Sequence, residues 1–101
     1  MQRKVLSRLA KEDLDKIISY STQRFGIDQT LVLNASLERS ITLLIANPEL
    51  GHLRRELTPE GRILRFHTVM DRYHIIYRPD VEPIEVARIL HGAPGSRRIF
   101  D

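Results

Sequence analysis

The first half of the chain spaces its apolar residues as an amphipathic helix does. One stripe has members at i, i+3, i+4, i+7 and i+11, namely Leu14, Ile17, Ile18, Ser21 and Phe25. Glu12 and Asp13 would lie in the first turn, where the helix dipole favours acidic side chains, and Gly26 is placed to end the helix. The pattern predicts a helix over residues 11–25, with Leu14, Ile18 and Phe25 buried.

A second helical stripe follows directly. Its inward-facing members are Leu33, Leu37, Ile41, Leu44 and Ile45. Asp28 is a residue type suited to the N-cap, and Pro48 disfavours helical geometry at Asn47, so the helix should end there. The pattern predicts a helix over residues 29–46, with Leu37, Ile41 and Leu44 buried. Together with the first helix it would form a hairpin that turns at Gly26-Ile27.

Alternating apolar and polar positions predict strands on both sides of this hairpin. Residues 3–9 fit a short first strand, and residues 63–67, 73–78 and 84–91 fit three more after a loop rich in turn residues. The order is therefore βααβββ. We expect an α+β fold in which the helical hairpin packs on one face of a small, mostly antiparallel sheet.

Strand alternation also suggests what the other sheet face carries. On the middle strand the tyrosines lie on one side and His74 and Arg78 on the other; on the preceding strand Leu64 and Phe66 oppose Arg65 and His67. We assign the less polar sets to the helices. Arg65, His67, His74 and Arg78 would then line one exposed basic surface, with His91 at its edge.

Length and composition limit the class of protein. A chain of 101 residues that is 42% hydrophobic can bury one modest core, so residues 1–101 should form a single domain. The absence of cysteine excludes disulfides and thiolate metal sites. No long apolar run or signal-like N-terminus is present, and we therefore expect a cytoplasmic protein with no membrane partner.

The basic residues are unevenly distributed. Every Lys lies within the first 16 residues, whereas all basic side chains after Gly51 are Arg and all four His are there too. The Arg fork suits carboxylate and phosphate, so an acidic protein and a nucleic acid are both candidate partners. The alternative is a solvated basic surface, since the net charge is only +3.

Several of these residues also have purely structural interpretations. His91 closes a strand before Gly92 turns the chain, and Tyr73 and Tyr77 suit core positions better than base stacking. His74 remains open between the two interpretations. No His spacing typical of a metal site is present, so we expect neither a metal nor a cofactor.

Three short motifs in a fixed order resemble a known family. They are Asn47-Pro48-Glu49-Leu50-Gly51, Tyr77-Arg78 and Arg88-Ile89-Leu90-His91-Gly92. Their order and separation resemble the ParE branch of the RelE/ParE toxins, and the resemblance runs from Leu9 to Gly92. It implies a βααβββ toxin of a type II toxin-antitoxin system, neutralised by a small ParD-like antitoxin encoded beside it.

The resemblance implies two possible targets. RelE-like members cleave mRNA in the ribosome with Lys and Arg on the sheet and a Tyr, His or Arg near the C-terminus, whereas ParE-like members are associated with inhibition of DNA gyrase through protein contact. The sheet of this chain has no Lys. If the chain were a ribonuclease, the acid-base and phosphate-binding work would fall to His74, Arg65, Arg78 and His91.

We therefore favour a binding toxin without catalytic turnover. Its predicted target-binding residues are Arg65, His74, Arg78, Arg97, Arg98 and Phe100. A third possibility is an inactive family member that acts in repression with its antitoxin, and in each case operator DNA would be reached only through the antitoxin. The tail after Gly92 departs from the commonest ParE ending, in which His-Gly is soon followed by a basic residue and an acid.

The antitoxin should find apolar surface on this chain. We expect Leu6, the open sheet face and the outer groove of the helical hairpin to receive an amphipathic helix or an added strand, with acidic groups of the antitoxin facing the Arg cluster.

Overall fold

A computed structural model describes residues 3–92 as two consecutive helices followed by a four-stranded antiparallel sheet. The elements are α1 (Arg8–Phe25), α2 (Ile27–Ala46), β1 (His52–Leu53), β2 (Arg65–Val69), β3 (Tyr73–Arg78) and β4 (Glu85–His91), with short 3-10 turns at Arg3–Val5 and Arg55–Leu57. The strands lie in the order β1-β2-β3-β4. The predicted α+β arrangement is confirmed.

Helix α1 begins earlier than the apolar stripe alone indicated. Ser7 is its N-cap, because the Ser7 hydroxyl accepts a hydrogen bond from the Ala10 N–H (3.1 Å) and so satisfies one of the unpaired amides of the first turn. The predicted end is right: Gly26 has a φ of +88° and its N–H bonds to the Thr22 carbonyl. Gly26 is also the N-cap of α2, so Asp28 lies inside the first turn of α2 and the predicted cap at Asp28 is wrong.

The predicted first strand is wrong. Arg3–Val5 form a 3-10 turn, and Leu6 makes a single parallel bridge to Val86. The cause is the cap at Ser7, which starts a helix where the alternating pattern predicted more strand. Leu6 is buried in consequence, so it is not available to a partner as we had expected.

Alternation failed to predict β1 and misplaced the start of β2. The two residues of β1 pair with Phe66 and Arg65 of β2. Strand β2 begins at Arg65 and continues to Val69, while Ile63 lies outside it. A two-residue strand is too short to leave a periodic signal in the sequence.

Two apolar cores lie on opposite faces of the sheet. The helix-side core contains Val5, Leu6, Ala10, Leu14, Leu33, Leu37, Ile41, Leu44, Val69, Tyr73, Ile75, Tyr77, Ile84, Val86 and Ile89, with Ile17, Ile18 and Ile45 packed against it. The second core is smaller and contains Leu64, Phe66, Ile76 and Leu90, with Leu57 of the second 3-10 turn packed on it. The second face is therefore partly covered by the second 3-10 turn.

The predicted burial of the helical stripes is confirmed except at Phe25, the last residue of α1. Leu14, Leu37, Ile41 and Leu44 are buried, and Ile18 is half-buried. Phe25 is 52% exposed, so its predicted burial is wrong. The hairpin closes instead on a buried hydroxyl pair, Ser21 and Thr30 (2.8 Å apart). Within residues 3–92, neither helix is long and apolar enough to cross a membrane.

Candidate functional site

A buried tyrosine holds the connection between α2 and β1 against the sheet. The Tyr77 hydroxyl donates to the Pro48 carbonyl (2.6 Å) and accepts from the Gly51 N–H (2.9 Å). Burial raises the pKa of Tyr77, an effect that the Gly51 hydrogen bond opposes only in part, so the hydroxyl keeps the proton that it donates. A Cβ on Gly51 would lie 2.8 Å from the Tyr77 ring. Only glycine allows the backbone this close.

Arg65 supports the same connection. Its Nη1 donates to the Gly51 carbonyl (2.6 Å) and more weakly to the Glu49 carbonyl (3.3 Å). These contacts account for the guanidinium as a structural group. Its role in target binding stays a prediction.

The register of β2 against β3 places Arg65 and His67 on the helix side of the sheet. Arg65 is opposite Tyr77 and His67 is opposite Ile75, and directly opposed residues leave a sheet on the same face. Burial lowers the pKa of His67, and the charge of nearby His52 lowers it further. His67 is thus predominantly a neutral imidazole at neutral pH.

His74 and Arg78 leave the sheet on the other face. The His74 Nδ1 lies 3.2 Å from the Thr68 hydroxyl, directly across the strand pair. Arg78 is held near two carboxylates, Asp80 at 3.5 Å and Glu85 at 3.9 Å. The single basic surface predicted for Arg65, His67, His74 and Arg78 is therefore wrong. Phe66 was predicted to face the helices, but it packs with Ile76 in the second core on the opposite face. The predicted faces of β2 are therefore reversed.

His91 lies on the helix side with Tyr73. The two rings stack with centroids 4.8 Å apart and an interplanar angle of 21°. The four residues that a ribonuclease would use thus divide into two pairs, Arg65 and His91 on the helix side and His74 and Arg78 opposite. The other predicted target-binding residues, Arg97, Arg98 and Phe100, lie outside residues 3–92. In the described part of the chain, no group of three or more His, Asp and Glu side chains could hold a metal ion.

A cleft of about 1070 Å³ runs between α2 and the end of β2. Its apolar walls include Ala35, Leu43, Ala46, Val69 and Met70, and its polar residues include Ser36, Glu38, Arg39, Ser40, Thr42 and Thr68. An outer groove on the hairpin was predicted, but the residues that line it were not. The signal in the sequence was a second set of residues at helical spacing on α2, positions 35, 39, 43 and 46, which are apolar except for Arg39.

The two edges of the sheet differ. Along β4, Ser7 binds the Val86 and Ala87 carbonyls through its N–H and its hydroxyl (2.9 and 2.8 Å), and the Asp13 carboxylate accepts from the Ile89 N–H (3.0 Å). Along β2, the partner strand β1 reaches only Arg65 and Phe66. Among the described residues, no strand pairs with the outer edge of β2 from His67 to Val69. This edge adjoins the cleft and is open to an added strand.

Comparison with known proteins identifies the family. A family model for the ParE toxin of the type II toxin-antitoxin system parDE matches residues 5–94. The chain is 32% identical over 92 residues to Toxin ParE1 of Caulobacter vibrioides (strain ATCC 19089 / CIP 103742 / CB 15), a match that covers 91% of each protein. It also resembles in fold a solved structure of the chromosomal ParDE TA system from P. aeruginosa, with a TM-score of 0.70 at 21% identity, covering 87% of this chain and 92% of that one. The predicted resemblance is confirmed, and the chain belongs to the ParE toxin family of type II toxin-antitoxin systems.

Proposed function

We propose that this ParE-family toxin acts in the cytoplasm by binding DNA gyrase without catalytic turnover. A cognate ParD-like antitoxin, encoded beside it, would neutralise it and carry the pair to operator DNA. Family membership supports the toxin and antitoxin roles. The division of the candidate catalytic residues between two sheet faces supports binding over catalysis.

That division is the observation on which the choice of mechanism rests. Cleavage of RNA at a ribose 2′-hydroxyl needs an acid and a base within hydrogen-bond reach of one scissile phosphate. Arg65 and His91 share faces with Tyr77 and Tyr73, whereas His74 and Arg78 lie on the opposite face. Arg65 is also occupied by two backbone carbonyls. These four side chains could not surround one phosphate without rearrangement.

The alternative is a RelE-like mRNA endonuclease, and one observation favours it. The His74 ring is half-buried and oriented by Thr68, as a general acid or base would need to be. In that case His74 would act with Arg78 and with residues beyond Gly92. The two mechanisms assign opposite importance to His74 and the tail.

Variants of the tail and of His74 separate the two mechanisms. Under the proposed function, deletion from Gly95 onward, or Arg97→Ala with Arg98→Ala, should relieve growth arrest in induced cells, since arginines beside Phe100 suit an interface anchor. His74→Ala should leave the arrest intact. The matched control is Arg54→Ala with Arg55→Ala, an exposed tandem pair elsewhere on the chain, which should also leave the arrest intact.

Two measurements accompany the growth assay. Purified toxin should inhibit supercoiling by gyrase, and tail deletion should abolish that inhibition. The endonuclease alternative predicts instead ribosome-dependent mRNA cleavage that falls on the order of 10²- to 10⁴-fold in His74→Ala. A folded His74→Ala protein that no longer arrests growth or cleaves mRNA would overturn the gyrase proposal.

The cleft between α2 and β2 is the surface that we propose for the antitoxin. Three surfaces were predicted for the antitoxin: Leu6, the second sheet face and the outer groove of the hairpin. Leu6 is buried and the second sheet face is partly covered, so these two offer a partner less apolar surface than predicted. The cleft combines apolar walls with an unpaired strand edge, the two features that an amphipathic helix and an extended segment require.

A further inference from the structure

The turn between β2 and β3 has an unusual composition for its geometry. Its central residues, Met70 and Asp71, both have positive φ values of 54° and 59°, and the Arg72 N–H bonds to the Val69 carbonyl. This is the arrangement of a type I′ turn, which is dominated by Asn, Asp and Gly. Asp71 suits its position, but Met70 is a long side chain in a backbone conformation that such residues rarely adopt.

The side chain of Met70 lies where two depressions meet. It is 49% exposed. It lines the cleft between α2 and β2, and it also lines a smaller hollow of about 110 Å³ with Phe25, Leu33 and Tyr73. The backbone of Met70 is strained, yet its apolar side chain remains half exposed to water. This combination indicates a function other than core packing.

Met70 also lies at the end of the unpaired edge of β2. A chain that added a strand along His67–Val69 would pass over the Met70 side chain as it left the sheet. The β4 edge offers no equivalent site because Ser7 and Asp13 occupy its backbone groups. Among the described residues, the other edge without a strand partner is that of β1, which is only two residues long. The segment His67–Val69 of β2 therefore offers the longer edge to an added strand, and Met70 marks its end.

Charged side chains of both signs surround this position. Arg72 follows the turn and is exposed, and Arg39 lies on the cleft wall. The acidic side chains are Glu38, on the same wall, and Asp71, which is exposed and directly follows Met70. An antitoxin segment with an apolar anchor against Met70 and acidic groups opposite Arg39 and Arg72 would be complementary to those three side chains.

We propose that Met70 is the specificity-determining contact of this toxin for its antitoxin. An extended antitoxin segment pairs with the edge of β2 and packs an apolar side chain against Met70, with acidic neighbours facing Arg39 and Arg72. This inference rests on the proposed antitoxin partnership. It adds the residue and the type of segment that carry recognition.

The test compares binding of the antitoxin from the neighbouring gene to the full chain and to Met70→Asn. Asn tolerates positive φ, so the variant should fold with an equal or higher melting temperature. Its affinity for the antitoxin should fall at least about tenfold, the loss expected when an interface anchor is removed. Met70→Leu should restore most of the affinity because it restores apolar surface.

Two further variants serve as matched controls. Ile63→Asn removes another exposed apolar side chain, 54% exposed and outside both depressions, and should leave affinity unchanged. Asp71→Gly changes the neighbouring turn residue to one that tolerates the same positive φ and retains Met70, so it should fold and show no loss of affinity. In the complex, backbone amides of His67–Val69 should gain protection from hydrogen exchange.

The outcomes distinguish this inference from the function beneath it. If the unchanged chain binds the antitoxin and folded Met70→Asn binds equally well, the inference is overturned and the partnership stands. Absence of protection at His67–Val69 in a formed complex would likewise overturn the inference alone. If the unchanged chain fails to bind the antitoxin, both the partnership and the inference fail.

Discussion

Tyr77 shows how a single side chain can position an entire motif. Its hydroxyl bonds to both ends of Pro48-Glu49-Leu50-Gly51, and its ring fills the space where Gly51 lacks a side chain. Arg65 holds two carbonyls of the same segment. The motif that first indicated the family is therefore a structural junction between the helical hairpin and the sheet.

The contact between Gly51 and Tyr77 predicts a non-additive pair of substitutions. Gly51→Ala should cost about 1–3 kcal/mol of unfolding free energy, because its Cβ would overlap the ring and hydroxyl. Tyr77→Phe should cost about 1–3 kcal/mol by leaving the buried Gly51 N–H unpaired. The double variant should lose less than the sum, since removal of the hydroxyl removes one of the two closest clashing atoms. Urea denaturation measures all three.

Tyr20→Phe is the control for this pair. The Tyr20 side chain is exposed, so loss of its hydroxyl should change stability by no more than about 0.5 kcal/mol. If the double variant lost the sum of the two single losses within about 0.5 kcal/mol, Gly51 and Tyr77 would act independently.

At the scale of elements, α1 is joined to the sheet through its first turns. Ser7 caps the helix and binds the backbone of β4, while the Asp13 carboxylate receives both Arg88 (2.7 and 2.9 Å) and the Ile89 N–H (3.0 Å). One face of α1 thus contributes to the core, and its N-terminal end covers the sheet edge. The predicted position of Glu12 and Asp13 in the first turn is wrong, because α1 begins at Arg8 and has no acidic residue in its first turn. The Asp13 carboxylate binds β4 instead.

Loss of Asp13 should weaken the connection between α1 and β4. Asp13→Asn should cost about 3 kcal/mol of unfolding free energy, since the pair is mostly buried (side chains 11% and 19% exposed) and Arg88 would lose its counter-charge. The matched control is Glu12→Gln, which removes the exposed Arg8–Glu12 pair and should cost about 0.3–0.5 kcal/mol. Equal effects in the two variants, measured by thermal or urea unfolding, would contradict the assignment.

At the scale of the whole molecule, the difference between the two sheet edges and the charge distribution both favour binding of the antitoxin on the β2 side of the sheet. The β4 edge is covered and the β2 edge is open beside an apolar cleft. The chain carries a net charge of +3, with its arginines concentrated in the second half. An acidic antitoxin would approach under electrostatic attraction and then bind largely through apolar contact.

Association with the antitoxin should therefore slow as salt rises. The screening length falls from about 10 Å at 0.1 M to about 3 Å at 1 M salt, so the association rate should fall while the dissociation rate changes little. Arg72→Glu, beside the cleft, should reduce the rate at low salt more than Arg8→Glu, which makes the same change in net charge near the β4 edge. Stopped-flow or surface-binding kinetics give both rates. Identical effects of the two reversals would place the antitoxin elsewhere.

The amino-acid sequence by itself determined the helical hairpin, three of the strands and the family. These features depend on local information: a helical stripe or an alternating strand is written in the spacing of neighbouring residues. Leu37, Ile41 and Leu44 were identified as core residues in this way. The motif around Pro48 could be recognised without knowledge of its contacts.

Only the tertiary structure decided which face each side chain occupies and where the sheet remains open. A strand shifted or reassigned by one residue exposes the opposite set of side chains, and the pairing of Phe66 with Ile76 placed Arg65 opposite Tyr77 rather than beside His74. The cap at Ser7 likewise replaced a predicted strand, because its hydroxyl can bond to the first helical turn and to β4 together. Such features depend on residues distant in sequence, and periodicity carries no information about them.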